Sequence, residues 1–578
     1  MVQNNINFCL SDAYCIGIVE NVDTKKVVVG VENEGVLNSL KINDIVILGG
    51  SNSDEKLIGI LTKVMKKRLE YDEIEVDEDI PYSNNCCVIT LVGSFYNKYG
   101  AGSENKFKRA INTYPEINSK VYQANETAMQ MIMNAVSSKL SDNKSLEIGH
   151  FASNKDVVAV LDGNRFFQRH ACIVGSTGSG KSYTVASILE KANQLEYANM
   201  IVFDLHGEYN ELSYADQIKI CDEQGGLHIP LWFFNYEEIH ALFVESSEGT
   251  STNQRAAVIN YILQNKKQYI KNNMSTVTDD VVTADTPVPF SASKLIEYLE
   301  EQNILENETG EFYKTGENKG QPKTKRGQYY DKLTNLITRL RTKMDDKKYG
   351  FVFNEDDTNS ADYLNHFATR IMGNDKYRIK VIDLSEVPSD MLAIIIGIVT
   401  RIIYDIQFWI TPAKDEVRHP LVLVCDEAHI YMSNDMSKMK AVEKKSLEIF
   451  EKIAKEGRKY GIGLLIVSQR PAELNTTIMS QCNNIVSLKV TNERDKSAVA
   501  AMLTDSLVGI VEMLPNLDVG ECVVVGDAIM LPSKIILSKP NEKPKSATID
   551  FWDRWCDGKN TVFDIDAATL NLIKQSRG

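Results

Sequence analysis

From about Tyr14 to Val92 hydrophobic and polar positions alternate in short runs, CIGIVENV, KKVVVGVE, DIVILGG, KLIGILTKVM and CCVITLVGSF, separated by turn signals. Short strands at this spacing, with no helix-length period between them, predict a small barrel or sandwich. Between about Pro115 and Leu140 the period changes, and TAMQMIMNAVSSKL places its apolar residues at helical spacing. From Val157 the pattern changes again: VVAVL, HACIVGS, MIVFDL, IKVIDL, LVLVCDE, IGLLIVSQ, NIVSLKV and ECVVVG read as buried strands alternating with helix-length segments. That alternation predicts a parallel sheet covered on both faces.

Between about Tyr236 and Lys376 the alternation lapses into polar, charged and mostly helical sequence, including SASKLIEYLEEQ and YYDKLTNLITRLRTK, which predicts an insertion into the α/β domain. After Lys539, KPNEKPKSATIDFWDRWCDGKN opens as a linker and then carries aromatics, as an arm that docks elsewhere would. The expected division is therefore an N-terminal β-barrel (1–100), a helical linker (101–150), a first part of the core (151–235), a helical insertion (236–376), a second part of the core (377–540) and a C-terminal arm (541–578). A chain of 578 residues is longer than one hydrophobic core serves, in keeping with several domains.

Composition narrows the function. Lys and Arg total 64 against 79 Asp and Glu, a formal charge of -15, which excludes a passive nucleic-acid coat and confines any DNA contact to a local surface. The ten cysteines include no CxxC pair and no Cys/His cluster at zinc spacing. Cys172, Cys425 and Cys522 sit in apolar runs, and the vicinal Cys86 and Cys87 fit a strand better than a redox pair, so the cysteines read as small buried hydrophobes of a reducing compartment. The segment MVQNNINFCLSD lacks the basic patch and apolar core of a secretory signal, and a cytoplasmic location is expected. The run from Met391 to Ile410, MLAIIIGIVTRIIYDIQFWI, nearly has bilayer length, but Arg401 and Asp405 inside it predict a helix buried in a protein core and no membrane span.

Chemistry concentrates at GSTGSGKS, between the strand HACIVGS and the helix SYTVASILEKA. Gly175, Gly178 and Gly180 let the backbone wrap round phosphate oxygens, with Ser176, Thr177 and Ser179 between them and Tyr183 following on the helix. Lys181 is placed to reach the β- and γ-phosphates of ATP, and the Ser182 hydroxyl to ligate Mg²⁺. The strand PLVLVCDEAH supplies the complementary acids: Asp426 to hold Mg²⁺ through its water shell and Glu427 as general base or water positioner. Without the phosphate loop, an acidic pair ending a strand would be as easily accidental.

Gln469, at the carboxyl end of IGLLIVSQRP, either senses the γ-phosphate or merely caps its strand. Arg458 and Lys459 end the helix of EKIAKEGRKYG, where they either complement the helix C-terminus or place an arginine finger in a neighbouring subunit's site. Asp204 closes MIVFDL, and His206 and Glu208 follow near the sheet edge; a lone histidine there is more often a structural hydrogen-bonder. Basic stretches occur at Lys323, Lys325 and Arg326, at Arg339, Arg341 and Lys343, and at Lys66, Lys67 and Arg68, but charge runs are usually solvated faces and do not establish DNA binding.

Taken together, IGHFASNKDVVAVLDGNRFFQRHACIVGSTGSGKS, IVFDLHGEY, LHIPLWFFNYEE, IKVIDLSEVP, LVLVCDEAH and EGRKYGIGLLIVSQRP resemble the HerA family of hexameric DNA translocases, relatives of the FtsK motors. The likeness runs from about Gly149 to Pro540, and the β-rich N-terminal region looks like the family's HAS barrel. The resemblance implies an α/β, RecA-like P-loop ATPase core, and a homo-hexamer that threads duplex DNA with ATP bound between subunits. In the family's motif Arg458 looks like the trans-acting arginine and Gln469 like the sensor, and the tail resembles an arm bracing a neighbour. Family members commonly work with a separately encoded nuclease or other effector, in DNA end processing or antiviral defence, and the barrel face is the expected docking surface.

The competing reading is a ring ATPase that moves protein, or assembles and activates a partner effector, without translocating DNA. A signalling GTPase is excluded because no N-K-x-D guanine-selecting motif is present.

Overall fold

The computed structural model describes residues 10–24, 26–42, 44–50, 55–66, 85–96, 106–137, 145–152, 154–221, 225–244, 249–314, 318, 320–356, 358–373, 376–414, 416–437, 439–503, 505–546, 551–556 and 564–574. They fall into two units: residues 1–191 with 465–472 and 479–541, and residues 192–464 with 473–478 and 542–578.

In the first unit, alternating burial drives the N-terminal strands to close on themselves. Val27–Gly30, Cys15–Val22, Lys120–Gln123, Ile45–Gly49, Glu55–Lys66 and Asn85–Tyr96 pair in that order, and Asn85–Tyr96 returns to Val27–Gly30 through Val27 opposite Ile89 and Gly30 opposite Cys86. Every pairing is antiparallel. The inward positions Val19, Val27, Val29, Val46, Leu48, Leu57, Leu61, Cys87, Ile89 and Val121 make one dry core. A closed sheet has no free edge, which is why so small a barrel resists edge pairing with other chains. Cys86 and Cys87 are buried on the strand Asn85–Tyr96, and burial pushes the Cys87 thiol up to about 12, away from the reactive thiolate form.

One expectation is corrected here. Lys120–Gln123 is a barrel strand, between Cys15–Val22 and Ile45–Gly49, so the helix begins only at Glu126, in Glu126–Ser137. The barrel thus extends past residue 100, and the segment assigned to a helical linker also contains the strand Ser145–Phe151. Lys67 and Arg68 lie outside the described residues.

The first unit also holds a sheet in which Ala171–Val174 lies parallel to the end of Ile462–Ser468 on one side and to Asn484–Ser487 on the other. Glu521–Gly526, Ser533–Leu537, Ser145–Phe151 and Asn154–Asp162 continue from Asn484–Ser487 with antiparallel pairing throughout. ECVVVG and VVAVL therefore belong to an antiparallel extension, where a wholly parallel sheet was expected.

The second unit stacks Ala215–Lys219, Ile379–Asp383, Met200–Asp204 and Leu421–Cys425 in that order, all parallel. The insertion contributes the helices Tyr236–Phe243, Ser251–Asn273, Ala292–Ile304, Thr334–Met344 and Asp362–Met372. It also carries an exposed hairpin, Glu306–Phe312 with Pro322–Arg326, within sequence expected to be mostly helical. The tail forms the short helix Phe551–Cys556 and the helix Ile565–Lys574, with Phe551, Trp552 and Trp555 exposed.

The longest apolar run becomes the helix Ser389–Trp409, long and apolar enough to cross a bilayer, yet 67% of its most apolar window is buried. Arg401 is accommodated inside it by a bidentate pair with the buried Glu238, each bond 3.0 Å, and by a 2.7 Å bond to the Phe233 carbonyl. Glu238 in turn closes a capping box with Asn235 at the start of Tyr236–Phe243. Arg401→Met strands a buried carboxylate, and a loss of about 3–5 kcal/mol is expected from breaking such a pair on one side. Thermal melts check it: Arg401→Met alone should melt well below the parent, and adding Glu238→Leu should recover most of the difference.

Candidate active site

The phosphate loop starts where the buried strand Ala171–Val174 ends and stops where the helix Lys181–Asn193 begins. That helix packs Val185, Ala186, Ile188, Leu189 and Ala192 into the core, so its first turn is held rigidly with its backbone N–H groups at the loop. Gly178 and Gly180 adopt φ of +74° and +106°, which side-chain-bearing residues rarely take. A Cβ at Gly175 would stand 2.6 Å from the Ser179 hydroxyl and 2.9 Å from Leu488 Cβ. The loop is tied down by Gly175 N–H to the Ser468 carbonyl (3.3 Å) and Ser176 N–H to the Lys489 carbonyl (2.8 Å).

Lys181 is buried and donates to the Ser176 carbonyl at 3.2 Å, so its ammonium lies over the loop. Ser182 and Tyr183 are half-buried on the first helical turn, and the buried Ser179 hydroxyl has no protein partner. Gln469 follows the strand Ile462–Ser468, and its side-chain carbonyl accepts from the Thr177 hydroxyl at 2.6 Å. The structure therefore brings Gln469 to the loop itself, a contact that strand capping alone does not require.

In the second unit the acidic residues gather at the carboxyl ends of Met200–Asp204 and Leu421–Cys425, whose register sets Phe203 beside Cys425. Asp204 is spent on structure: its carboxylate accepts from the N–H groups of His206, Glu208 and Tyr209 at 3.2, 3.0 and 2.8 Å, closing the turn that presents Glu208. His206 points to solvent. Asp426 is buried, and burial together with the negative charges of Glu427, Glu208 and Asp204 raises its carboxyl to about 8, against a single opposing backbone N–H from Glu427. Among the described residues no three His, Cys, Asp or Glu side chains are arranged to hold a metal by themselves. A hard divalent cation fits this surplus of carboxylate when phosphate oxygens and water complete its shell.

Glu427 sits in the left-handed region with φ of +42°, a conformation that costs a non-glycine residue about 1–3 kcal/mol. It opens the short turn Ala428–Ile430, and His429 Nδ1 lies 3.3 Å from Glu427 Oε2. The sequence carried the signal for this pair in CDEAH, where His429 follows two residues after Glu427, but assigned the histidine no role. The buried Tyr431 donates its hydroxyl to the Asp426 carbonyl at 3.0 Å and fixes the turn from below.

Arg458 is not part of this cluster. It is exposed on the turn Gly457–Tyr460, and Leu421 N–H donates to the Gly461 carbonyl at 2.8 Å, which puts that turn at the beginning of Leu421–Cys425. Asp426 follows the other end of the same five-residue strand, and at about 3.3 Å per residue the separation of roughly 16 Å is more than an arginine side chain spans. Arg458 cannot serve the Asp426 and Glu427 of its own chain.

Among the described residues, most of the basic side chains in these stretches have a partner within the chain. Arg339 donates to the Phe243 carbonyl and to Gln254, Arg341 pairs with Glu300, Lys343 with Asp390, Lys323 with Glu311 and Lys66 with Glu34, while Arg326 stacks on Tyr330. Most of these cations are committed within the chain, in keeping with the expectation that such charge runs do not by themselves establish DNA binding.

The family model described as "Helicase HerA, central domain" matches residues 146–403. Among curated proteins, the DNA double-strand break repair helicase HerA of Saccharolobus solfataricus is 26% identical over 423 residues, covering 72% of this chain and 73% of that protein. The protein of the same name from Pyrococcus furiosus is 25% identical over 488 residues, covering 77% of this chain and 79% of that one. Among solved structures, VirB4 of Thermoanaerobacter pseudethanolicus is similar at 16% identity and a TM-score of 0.42, over 69% of this chain and 98% of the other.

Proposed function

The chain belongs to the HerA family of P-loop ATPases, and from that premise we propose that it is an ATP-driven translocase of double-stranded DNA, working as a ring of six copies with ATP bound between neighbours. Two observations carry the reading, each within its own unit: a complete phosphate loop contacted by Gln469, and the Asp426–Glu427 pair, with Asp426 buried, at the carboxyl end of the parallel strand Leu421–Cys425. In this reading the backbone of Gly175 to Ser182 cradles the phosphates, Lys181 neutralises the β- and γ-oxygens, and Tyr183 lies beside the nucleotide. Ser182 and Asp426 would hold Mg²⁺, which when bound draws charge from the phosphoryl oxygens. Glu427, with His429 Nδ1 3.3 Å from its Oε2, takes the proton of the attacking water, and Gln469 reports the γ-phosphate to the loop through Thr177.

The separation of Arg458 from its own carboxylates supports action on the next subunit's nucleotide, where a guanidinium stabilises charge on the transferring phosphoryl group. The exposed aromatics of Phe551–Cys556 support the arm as a brace on a neighbour, and the barrel face is the proposed seat of a nuclease or other effector in DNA end processing or antiviral defence. Nine free cysteines among the described residues support a cytoplasmic location.

The discriminating measurement is ATP turnover in the presence of linear duplexes of increasing length. Turnover is expected to rise several-fold and to grow with duplex length until the ring is saturated. Turnover indifferent to DNA, but raised by a partner protein, would instead establish the protein-moving or effector-assembling motor.

A further inference from the structure

The turn that follows the strand Met200–Asp204 is held from two sides. Its inner side is fixed by buried groups: Tyr209 and Leu212 lie in the core, the Asp204 carboxylate accepts from the N–H groups of His206, Glu208 and Tyr209, and Asn210 donates to the Asp383 carboxylate at 2.9 Å. Its outer side is gripped by the beginning of the C-terminal tail, 329 positions away in the sequence. Glu542 accepts from the Ser213 N–H at 2.6 Å and from the Ser213 hydroxyl at 2.5 Å, and the Lys545 N–H donates to the Glu208 carbonyl at 2.7 Å. Pro544, between them, is buried. The Lys545 ammonium also lies 3.3 Å from Glu211, but both side chains are exposed and such a pair holds little. All of these residues belong to the second unit.

Two tail residues thus clasp both ends of the segment 208–213. A segment that only links one element to the next leaves its polar groups to water, whereas a carboxylate that takes both donors of one serine, together with a backbone N–H aimed at one carbonyl, specifies a single seat. What that seat controls is Glu208. Asp204 holds its N–H and the tail holds its carbonyl, so the peptide units before and after Glu208 are both fixed. Its side chain is half-buried near the carboxyl end of Met200–Asp204 and stands close enough to Asp426 for its charge to act on that group.

We propose that Glu542 and Lys545 are positioning residues for ATP hydrolysis: by clasping the turn they keep the Glu208 carboxylate beside Asp426, where its negative charge helps to draw Mg²⁺ to the site. Hard divalent cations are held in proportion to the carboxylate charge around them, so a Glu208 free to swing into solvent leaves Asp426 a weaker site. This role rests on the proposed place of Asp426 at the metal, and it makes a surface segment far along the chain part of what sets metal affinity.

A double-mutant cycle on the full chain tests it. Glu542→Ala, and Lys545→Pro, which removes the N–H, are each expected to lower ATP turnover by about 3- to 10-fold, the worth of one or two hydrogen bonds, and to raise the Mg²⁺ concentration at which a fluorescent ATP analogue is half bound. Glu208→Gln should raise that concentration as well, and adding Glu542→Ala to it should change neither quantity further, because the clasp acts through that carboxylate. Glu542→Gln, which keeps an acceptor for Ser213, should recover most of the loss. Without nucleotide, hydrogen exchange at residues 208–213 should quicken in Glu542→Ala while the melting temperature holds. Losses of equal size in the parent and in Glu208→Gln would reduce the clasp to an anchor for the tail and overturn the proposal, as would tail variants whose turnover and Mg²⁺ dependence match the parent. Turnover unaffected by Asp426→Asn would instead overturn the place of Asp426 at the metal, the reading beneath it.

Discussion

Lys181→Ala is expected to lower ATP turnover by about 10²- to 10³-fold or more, the scale on which removal of one preorganised charge-stabilising donor acts, and to weaken nucleotide binding as well. The reason lies in where the ammonium is held. Lys181 is buried at the head of the helix Lys181–Asn193 and already bends over the loop to the Ser176 carbonyl, so it needs little reorganisation to meet a phosphate. A buried cation beside a helix N-terminus acts in a medium of low dielectric, where each charge interaction exceeds its value in water. Alanine keeps the helix, since it is the best helix former, and leaves Gly178 and Gly180 in their conformations. Titration with a fluorescent ATP analogue and a steady-state phosphate assay check the result; normal affinity and turnover would remove Lys181 from the site.

The parts of the fold that were legible from sequence share a property: their cause is local. The phosphate loop is read from the spacing of its glycines because φ at Gly178 and Gly180 demands them, and the buried strands Met200–Asp204 and Leu421–Cys425 declare themselves by unbroken apolar runs. The parts that were missed are set by partners distant in the chain. Lys120–Gln123 has only four residues and a polar beginning, and becomes a strand because Cys15–Val22 and Ile45–Gly49 leave a gap for it. Glu521–Gly526 is as apolar as its parallel neighbours, and nothing in ECVVVG states that it pairs antiparallel to Asn484–Ser487. The partners of the basic stretches are likewise set at a distance, since Lys343 finds Asp390 and Arg339 finds Phe243 across long stretches of chain. At the site, the types of residue were legible in sequence, whereas the left-handed Glu427, its contact with His429 and the distance of Arg458 from both are properties of the folded chain.

Glu427→Gln should separate binding from hydrolysis. Glutamine preserves the size of the side chain and can still meet His429, but it has no lone-pair base to receive a proton, and general-base catalysis is worth about 10²- to 10⁴-fold. Turnover should therefore fall by that factor while ATP remains bound. The substitution also removes one of the negative charges that push the Asp426 carboxyl up, so Asp426 should ionise more readily and nucleotide affinity in the presence of Mg²⁺ should hold or improve. This variant then becomes the reagent for Arg458. An Arg458→Ala chain has an intact carboxylate pair and no finger to offer, and a Glu427→Gln chain has a finger and no base. If the arginine works across the subunit boundary, mixing the two inactive proteins creates junctions where Arg458 of one chain meets Glu427 of the other, and part of the turnover should return. Were Arg458 to act within its own chain, every site in the mixture would lack one group, and turnover would stay at the level of the separate variants.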